Sequence, residues 1–186
     1  MKKFGFLLFL HFHSFVESQT YELSIPPNET SSYEYADFKI WIDNSIDTLK
    51  GLYWSVHGLN GDSREVVNEL SLRTTAANNQ CALMGVHLSN MDMESGIGDA
   101  VLNFMDSISV VANRPEMSNI PFFINGYSWG GQFGYHFTMW YPQKVIALIS
   151  QKGGYHDTTT VYSAVDVPIL FFIGENDLQY RIDNLT

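Results

Sequence analysis

The chain has 186 residues, of which 45% are hydrophobic and 16% charged, and a formal net charge of −10. That balance suits one globular domain with a real core and excludes a disordered chain. The acidity sets aside nucleic acid and anionic membrane surfaces as partners, because both are themselves negative.

The chain opens on Lys2 and Lys3, then a mostly apolar run from Phe4 to Val16, then Val16-Glu17-Ser18. This order of positive, apolar and small-residue regions predicts a secretory signal over 1–18 and a secreted or periplasmic mature chain from Gln19. The run is too short to span a bilayer and is broken by His11 and His13. Only Cys81 is present, so the exported chain has no internal disulfide and stands on its core. Cys81 opens the apolar run CALMGVHL and reads as a small buried hydrophobe. No His or Cys spacing suggests a metal, and no cofactor is expected.

Tyr21 to Ile25 and DFKIWID, in which Phe38, Ile40 and Ile42 alternate, predict an antiparallel opening pair of strands. Five continuous apolar runs follow: Leu52 to Val56, Ala82 to Val86, Pro121 to Ile124, Val145 to Ser150 and Pro168 to Gly174. Runs of that kind suit strands buried on both faces of a parallel sheet. Helices are expected over Ser63 to Ala77, with Asp62 and Ser63 as N-cap candidates, over Gly98 to Ala112, and over Trp129 to Tyr141. The alternation predicts one α/β domain over 19–186, with right-handed crossovers and helices on both faces of a mostly parallel sheet.

Three strand ends carry chemistry. Gly126-Tyr127-Ser128-Trp129-Gly130 sits between a buried strand and a helix, the context that G-x-S-x-G needs to expose a nucleophilic serine. The helix that follows aims its N-terminus, and the Trp129 N–H, at a developing oxyanion. VHGLNG, Val56 to Gly61, is a His-Gly loop after an early strand, where a second oxyanion N–H is expected. Leu59 is the first choice of donor and Asn60 the alternative, with His57 bracing the loop. FFIGENDLQ ends a late strand in Glu175, Asn176 and Asp177. A carboxylate there can orient an imidazole, and Asp177 is preferred to Glu175 for its shorter side chain past the turn. An ordinary strand–helix turn, a Gly-rich connection and an Asx turn are the structural alternatives for the three.

GYSWGG, HGLNG and GEND together resemble the α/β-hydrolase superfamily. With KGGYHD, Lys152 to Asp157, the chain is most similar to the polyhydroxybutyrate-depolymerase and feruloyl-esterase-like branch of secreted esterases, from about Asp37 to Leu185. The resemblance implies a serine esterase with Ser128 as nucleophile, Asp177 as acid, and Leu59 and Trp129 as oxyanion donors. It also implies a histidine after the acid.

No histidine follows Asp177; those present are His11, His13, His57, His87, His136 and His156. The expectation is a chain cut short of its last strand and helix, with the catalytic histidine beyond Thr186, since the run PILFFIG would otherwise form an exposed apolar edge. Such a chain should be nearly inactive, because a serine without a base is a weak nucleophile. His156 is the possible substitute base and His87 the next, whereas His136 lies about 12 Å down its helix from Ser128. Met91 and Met93, with Tyr127 and Trp129, are candidates for an apolar acyl wall. The substrate expected is a small-molecule or polymeric ester. A non-catalytic binding protein and a peptidase on the same fold are the competing readings.

Overall fold

The computed structural model describes residues 18–154, 156 and 164–183, so the expected secretory segment lies, but for Ser18, outside the described residues. Seven strands form one sheet in the order β1-β2-β4-β3-β5-β6-β7. They are β1 (Gln19–Ser24), β2 (Ala36–Ile42), β3 (Gly51–Val56), β4 (Cys81–Leu88), β5 (Phe122–Tyr127), β6 (Val145–Gln151) and β7 (Ile169–Phe172). β1 pairs antiparallel with β2, and β2 with β4; every other pairing is parallel. The opening antiparallel pair and the five parallel runs thus stand where the apolar patterning predicts them.

The helices are α1 (Leu70–Asn78), α2 (Ile97–Val111), α3 (Trp129–Trp140) and the short α4 (Gln179–Asp183). One sheet face is covered by α2 and α3. There Phe38, Ile40, Trp54, Met84, Phe122 and Ile124 from the strands meet Val101, Phe104, Ile108, Phe133 and Phe137. Trp54 is fully buried and meets Phe122, Phe133 and Phe137 edge-on at centroid distances of 5.8, 5.7 and 5.3 Å. Edge-on aromatic pairs add about 0.5–1.5 kcal/mol each beyond their buried area. The other face is covered only in part: Val67 and Ala76 pack on Trp41 and Leu83. Further along it, Leu170 and Phe172 on β7 stay 51% and 53% exposed. At the amino ends of the strands this face holds an apolar cavity of about 490 Å³ against Leu72, Cys81, Phe123 and Ile149. Burial raises the Cys81 thiol above its ordinary pKa, in keeping with an inert hydrophobe.

The single helix expected over 63–77 is two elements. A 3-10 turn, Arg64–Asn68, gives way to α1 at Glu69, whose backbone is extended at φ −74°, ψ 110°. The cause is Ser63. Instead of capping the helix, its hydroxyl accepts the Val86 N–H (2.9 Å) and has the carbonyls of Ser55 (2.9 Å) and Val86 (3.0 Å) within reach of its one proton. That anchors the segment across β3 and β4, while Asp62 takes the capping role by accepting the Arg64 N–H at 2.9 Å. The methionine expectation also divides: Met91 is buried in the core, and only Met93 reaches a rim cavity.

Candidate active site

At the carboxyl end of β5 the chain turns abruptly into α3. Ser128 sits at φ 54°, ψ −118°, a region that non-glycine residues avoid at about 1–3 kcal/mol. Three hydrogen bonds hold it there. Its N–H donates to the Gln151 carbonyl on β6 at 2.7 Å, and its carbonyl accepts from Gly131 and Gln132 at 3.0 and 3.2 Å. The flanking glycines are sterically required. A Cβ on Gly126 would meet the Gly130 and Gly131 backbone at under 3.0 Å. One on Gly130 would run into the carbonyls of His57 and Val56, the latter at 2.6 Å. The serine is therefore lifted above the rim by backbone packed on backbone.

The His57–Gly61 loop abuts this turn. A Cβ on Gly58 would lie 3.2 Å from both Ser128 Cβ and the Tyr127 ring. The loop closes on itself where the Gly61 N–H donates to Gly58 O at 3.0 Å, past Asn60 at φ 55°. His57 braces it: Nε2 accepts the Leu88 N–H at 2.9 Å and the Nδ1–H donates to Gly58 O at 2.5 Å. A backbone N–H can only donate, so the ring is the neutral Nδ1–H tautomer. Burial lowers its pKa. The Leu59 side chain is 64% exposed, and among the described residues neither the Leu59 nor the Trp129 N–H donates a hydrogen bond to a backbone carbonyl.

Asp177 follows β7. Its side chain is 6% exposed. Oδ1 accepts the Leu178 N–H at 2.8 Å and the Arg181 Nη1–H at 3.1 Å. Those two contacts, the backbone one first, hold the carboxylate below its ordinary range. Oδ2 is buried with no partner among the described residues. Arg181 also extends Nη2 to within 3.4 Å of Ser128 Oγ. The structure therefore brings Ser128 and Asp177 to one place, with a guanidinium between them. Glu175, the alternative acid, is exposed and among the described residues meets only Asn176, at 3.5 Å.

The histidines stand elsewhere. His156 lies edge-on to Tyr135 and Phe171, at 4.9 and 4.4 Å between centroids, and among the described residues neither ring nitrogen has a hydrogen-bond partner. Burial, and secondly the nearby His136, push its pKa down to about 4. His87 faces Asp37, with Nδ1 3.3 Å from Oδ2, and stacks on Tyr35 at 4.4 Å. Neither makes a hydrogen bond to Ser128 or Asp177.

Two rim cavities adjoin the serine turn and share Asp92. One, of about 520 Å³, meets Met93, Gln132, His136, Met139 and Trp140. The other, of about 490 Å³, is lined by residues that include Asn60 and Trp129. Among the described residues, no cluster of His, Cys, Asp and Glu could hold a metal ion, and no helix is long and apolar enough to cross a membrane.

Arg181 is the site residue that sequence reasoning missed. Its spacing of four from Asp177 on a helix-like run was the available signal. A second such feature is a polar chain behind the turn: Gln151 Nε2 donates to Asn125 Oδ1 at 2.7 Å, and Asn125 Nδ2 to the Tyr53 hydroxyl at 2.9 Å.

No family model and no curated protein matches the sequence. Solved structures match its fold. An esterase described as thermostable is 18% identical at a TM-score of 0.61, the match covering 89% of this chain and 49% of that one. A dienelactone hydrolase from Anabaena variabilis is also 18% identical at 0.56, covering 90% and 79%. An S-formylglutathione hydrolase from Staphylococcus aureus is 17% identical at 0.53, covering 74% of this chain. The match spans 58% of the length of that last structure and 65% of another serine hydrolase from the same organism. The chain has the α/β-hydrolase fold.

Proposed function

We propose that this α/β-hydrolase-fold chain is an exported serine hydrolase of carboxylic esters. Ser128 Oγ attacks the ester carbonyl while an imidazole takes its proton, and the N–H groups of Leu59 and Trp129 receive the oxyanion. The C–O bond then breaks, the imidazole returns the proton to the leaving alcohol, and water releases the acyl group by the same steps. Asp177 orients the imidazole. Chain beyond Thr186 supplies that histidine, and residues 1–18 direct export.

The observation that carries this reading is the backbone of Ser128. A strained conformation at a strand end persists only where its surroundings enforce it, and here two glycines and three hydrogen bonds do so. Asp177 Oδ2, without a partner among the described residues, supports it further, since a buried acceptor of that kind wants an N–H. The esterase and dienelactone hydrolase among the similar structures support the reaction class.

A fluorophosphonate probe on the protein isolated from its source tests the reading. Ser128 should label, and Ser128→Ala should abolish the label. The intact mass of that protein should exceed the value for a chain ending at Thr186. The 186-residue chain alone should turn over p-nitrophenyl esters at background rate. Turnover removed by Ser128→Ala would instead mean that His156 or His87 acts as base.

One observation favours a second reading, a non-catalytic binding protein: Arg181 fills the space between Asp177 and Ser128. In that case the isolated protein leaves Ser128 unlabelled, and its mass ends at Thr186.

A further inference from the structure

The sheet face away from α2 and α3 carries a polar row among apolar neighbours. On this face Phe123 of β5 and Ile149 of β6 line the apolar cavity at the amino ends of the strands. Two residues further along each strand, and so on the same face, come Asn125 and Gln151. Gln151 Nε2 donates to Asn125 Oδ1 at 2.7 Å, and Asn125 Nδ2 donates to the Tyr53 hydroxyl on β3 at 2.9 Å. All three residues are half-buried. Hydrophobic contact is non-directional, whereas a hydrogen bond demands its partner at one place, so the row specifies an alignment of three strands.

That alignment is not the one β5 and β6 start with. Their register shifts by one residue between Phe122, opposite Val145, and Phe123, opposite Ala147, and thereafter Tyr127 stands opposite Gln151. Without the shift Asn125 would stand opposite Leu148, and Tyr127 opposite Ser150. Side chains alternate between faces, so a slip of one residue would carry the Gln151 side chain to the other face, away from Asn125. The Gln151–Asn125 bond therefore forms only in the shifted register. The same register brings the Gln151 carbonyl to the Ser128 N–H, at 2.7 Å. On the other side, Tyr53 ties in β3, whose end leads into the His57–Gly61 loop.

We propose that Asn125, Gln151 and Tyr53 are positioning residues for Ser128: their row locks β3, β5 and β6 in the stagger that holds the Gln151 carbonyl on the Ser128 N–H and sets the Leu59 loop against the serine turn. The strained backbone of Ser128 persists only while its surroundings enforce it. Of its three hydrogen bonds, two go to Gly131 and Gln132 in the helix that follows, and only the Gln151 carbonyl comes from another strand. Loss of the row loosens that outside contact first. The inference rests on the serine-hydrolase reading for its effect on the reaction; the hold on the Ser128 N–H needs no catalysis.

Amide hydrogen exchange in the 186-residue chain, read by NMR, tests the hold. In Asn125→Leu, which makes neither bond, the Ser128 N–H should exchange about tenfold faster, while the Trp54 N–H in the middle of β3 keeps its rate. Tyr53→Phe keeps the ring and loses one bond, so it should speed Ser128 exchange about threefold. Asn125→Asp should restore the native rate. Gln151 Nε2 still donates to one carboxylate oxygen, and the Tyr53 O–H turns to donate to the other. In the protein from its source, Asn125→Leu should slow fluorophosphonate labelling of Ser128 about tenfold and lower kcat with KM unchanged, because oxyanion contacts are made in the transition state. Asn125→Asp should recover both. A row that serves stability alone would lower the melting temperature of Asn125→Leu and leave labelling of the folded protein as it was. Unchanged Ser128 exchange in Asn125→Leu and Tyr53→Phe, unchanged labelling in Asn125→Leu, or no recovery in Asn125→Asp would each overturn the positioning role. If Ser128 of the unsubstituted protein stays unlabelled while exchange responds as expected, the hydrolase reading falls and the hold on Ser128 stands.

Discussion

Ser128 and Asp177 end strands that lie two apart in the sheet, yet opposite means hold them. Around Ser128 the contacts are backbone on backbone: Gly126 on Gly130 and Gly131, Gly130 on Val56 and His57, and the serine N–H on Gln151. Behind that turn lies the densest aromatic packing of the core, centred on Trp54. Around Asp177 the partners are the adjoining Leu178 N–H and one long side chain, Arg181, and the neighbouring Leu170 and Phe172 are half-exposed. Backbone packing cannot adapt without moving strands, whereas a guanidinium can swing away. Ser128 is thus set by the fold, while Asp177 is held by a contact that another donor could replace.

The comparison breaks first if the serine side tolerates change. Gly130→Ala forces a Cβ against two carbonyls, so it should cost about 4 kcal/mol or leave no folded protein in a urea titration. Trp54→Ala empties the centre of the aromatic cluster and should cost about 3–5 kcal/mol by the same measurement.

His156 packs between Tyr135 on α3 and Phe171 on β7, so it joins the two sides. Its folded pKa of about 4 lies below the ordinary 6.5, so the folded state binds fewer protons between those values. Stability should then fall as pH drops from about 6.5 to about 4 and lose nothing more to this group below. After a discount for solvent screening the loss is about 1–2 kcal/mol. His57 acts in the same direction. Thermal melts across that window should show the slope, and His156→Phe should flatten it. A melt that is level from pH 7 to 4 would remove the buried neutral imidazole from the account.

The smallest effect is expected at the open face. Phe172→Ser should change the stability of the 186-residue chain by no more than about 0.5 kcal/mol. The same substitution in the protein from its source would cost far more if further chain covers β7, and a comparison of the two melts reads that difference.

Much of the serine side was legible in the sequence because its causes are local. Continuous apolar runs specify buried parallel strands, and G-x-S-x-G carries its own steric reason. The position of Asp177 just past a late strand was legible on the same ground. What stayed hidden depends on distant partners. Ser63 reads as an N-cap, but its hydroxyl serves carbonyls on β3 and β4 instead, and the helix breaks at Glu69. Met91 looks like a rim residue until the loop folds it into the core. Nothing local says that Arg181 reaches back to Ser128, 53 residues earlier.

The sheet order also sets when the parts can assemble. β3 pairs only with β4 and β5, and the turn after β5 is pinned by Gln151 on β6. At ribosomal rates of about 5–20 residues per second, about 5–20 s separate Val56 from Gln151 as the chain emerges. During that interval the row Leu52, Trp54 and Val56 lacks at least part of its cover and is open to mispairing. Limiting yield on expression should therefore track synthesis rate and chaperone supply more closely than the stability of the finished protein.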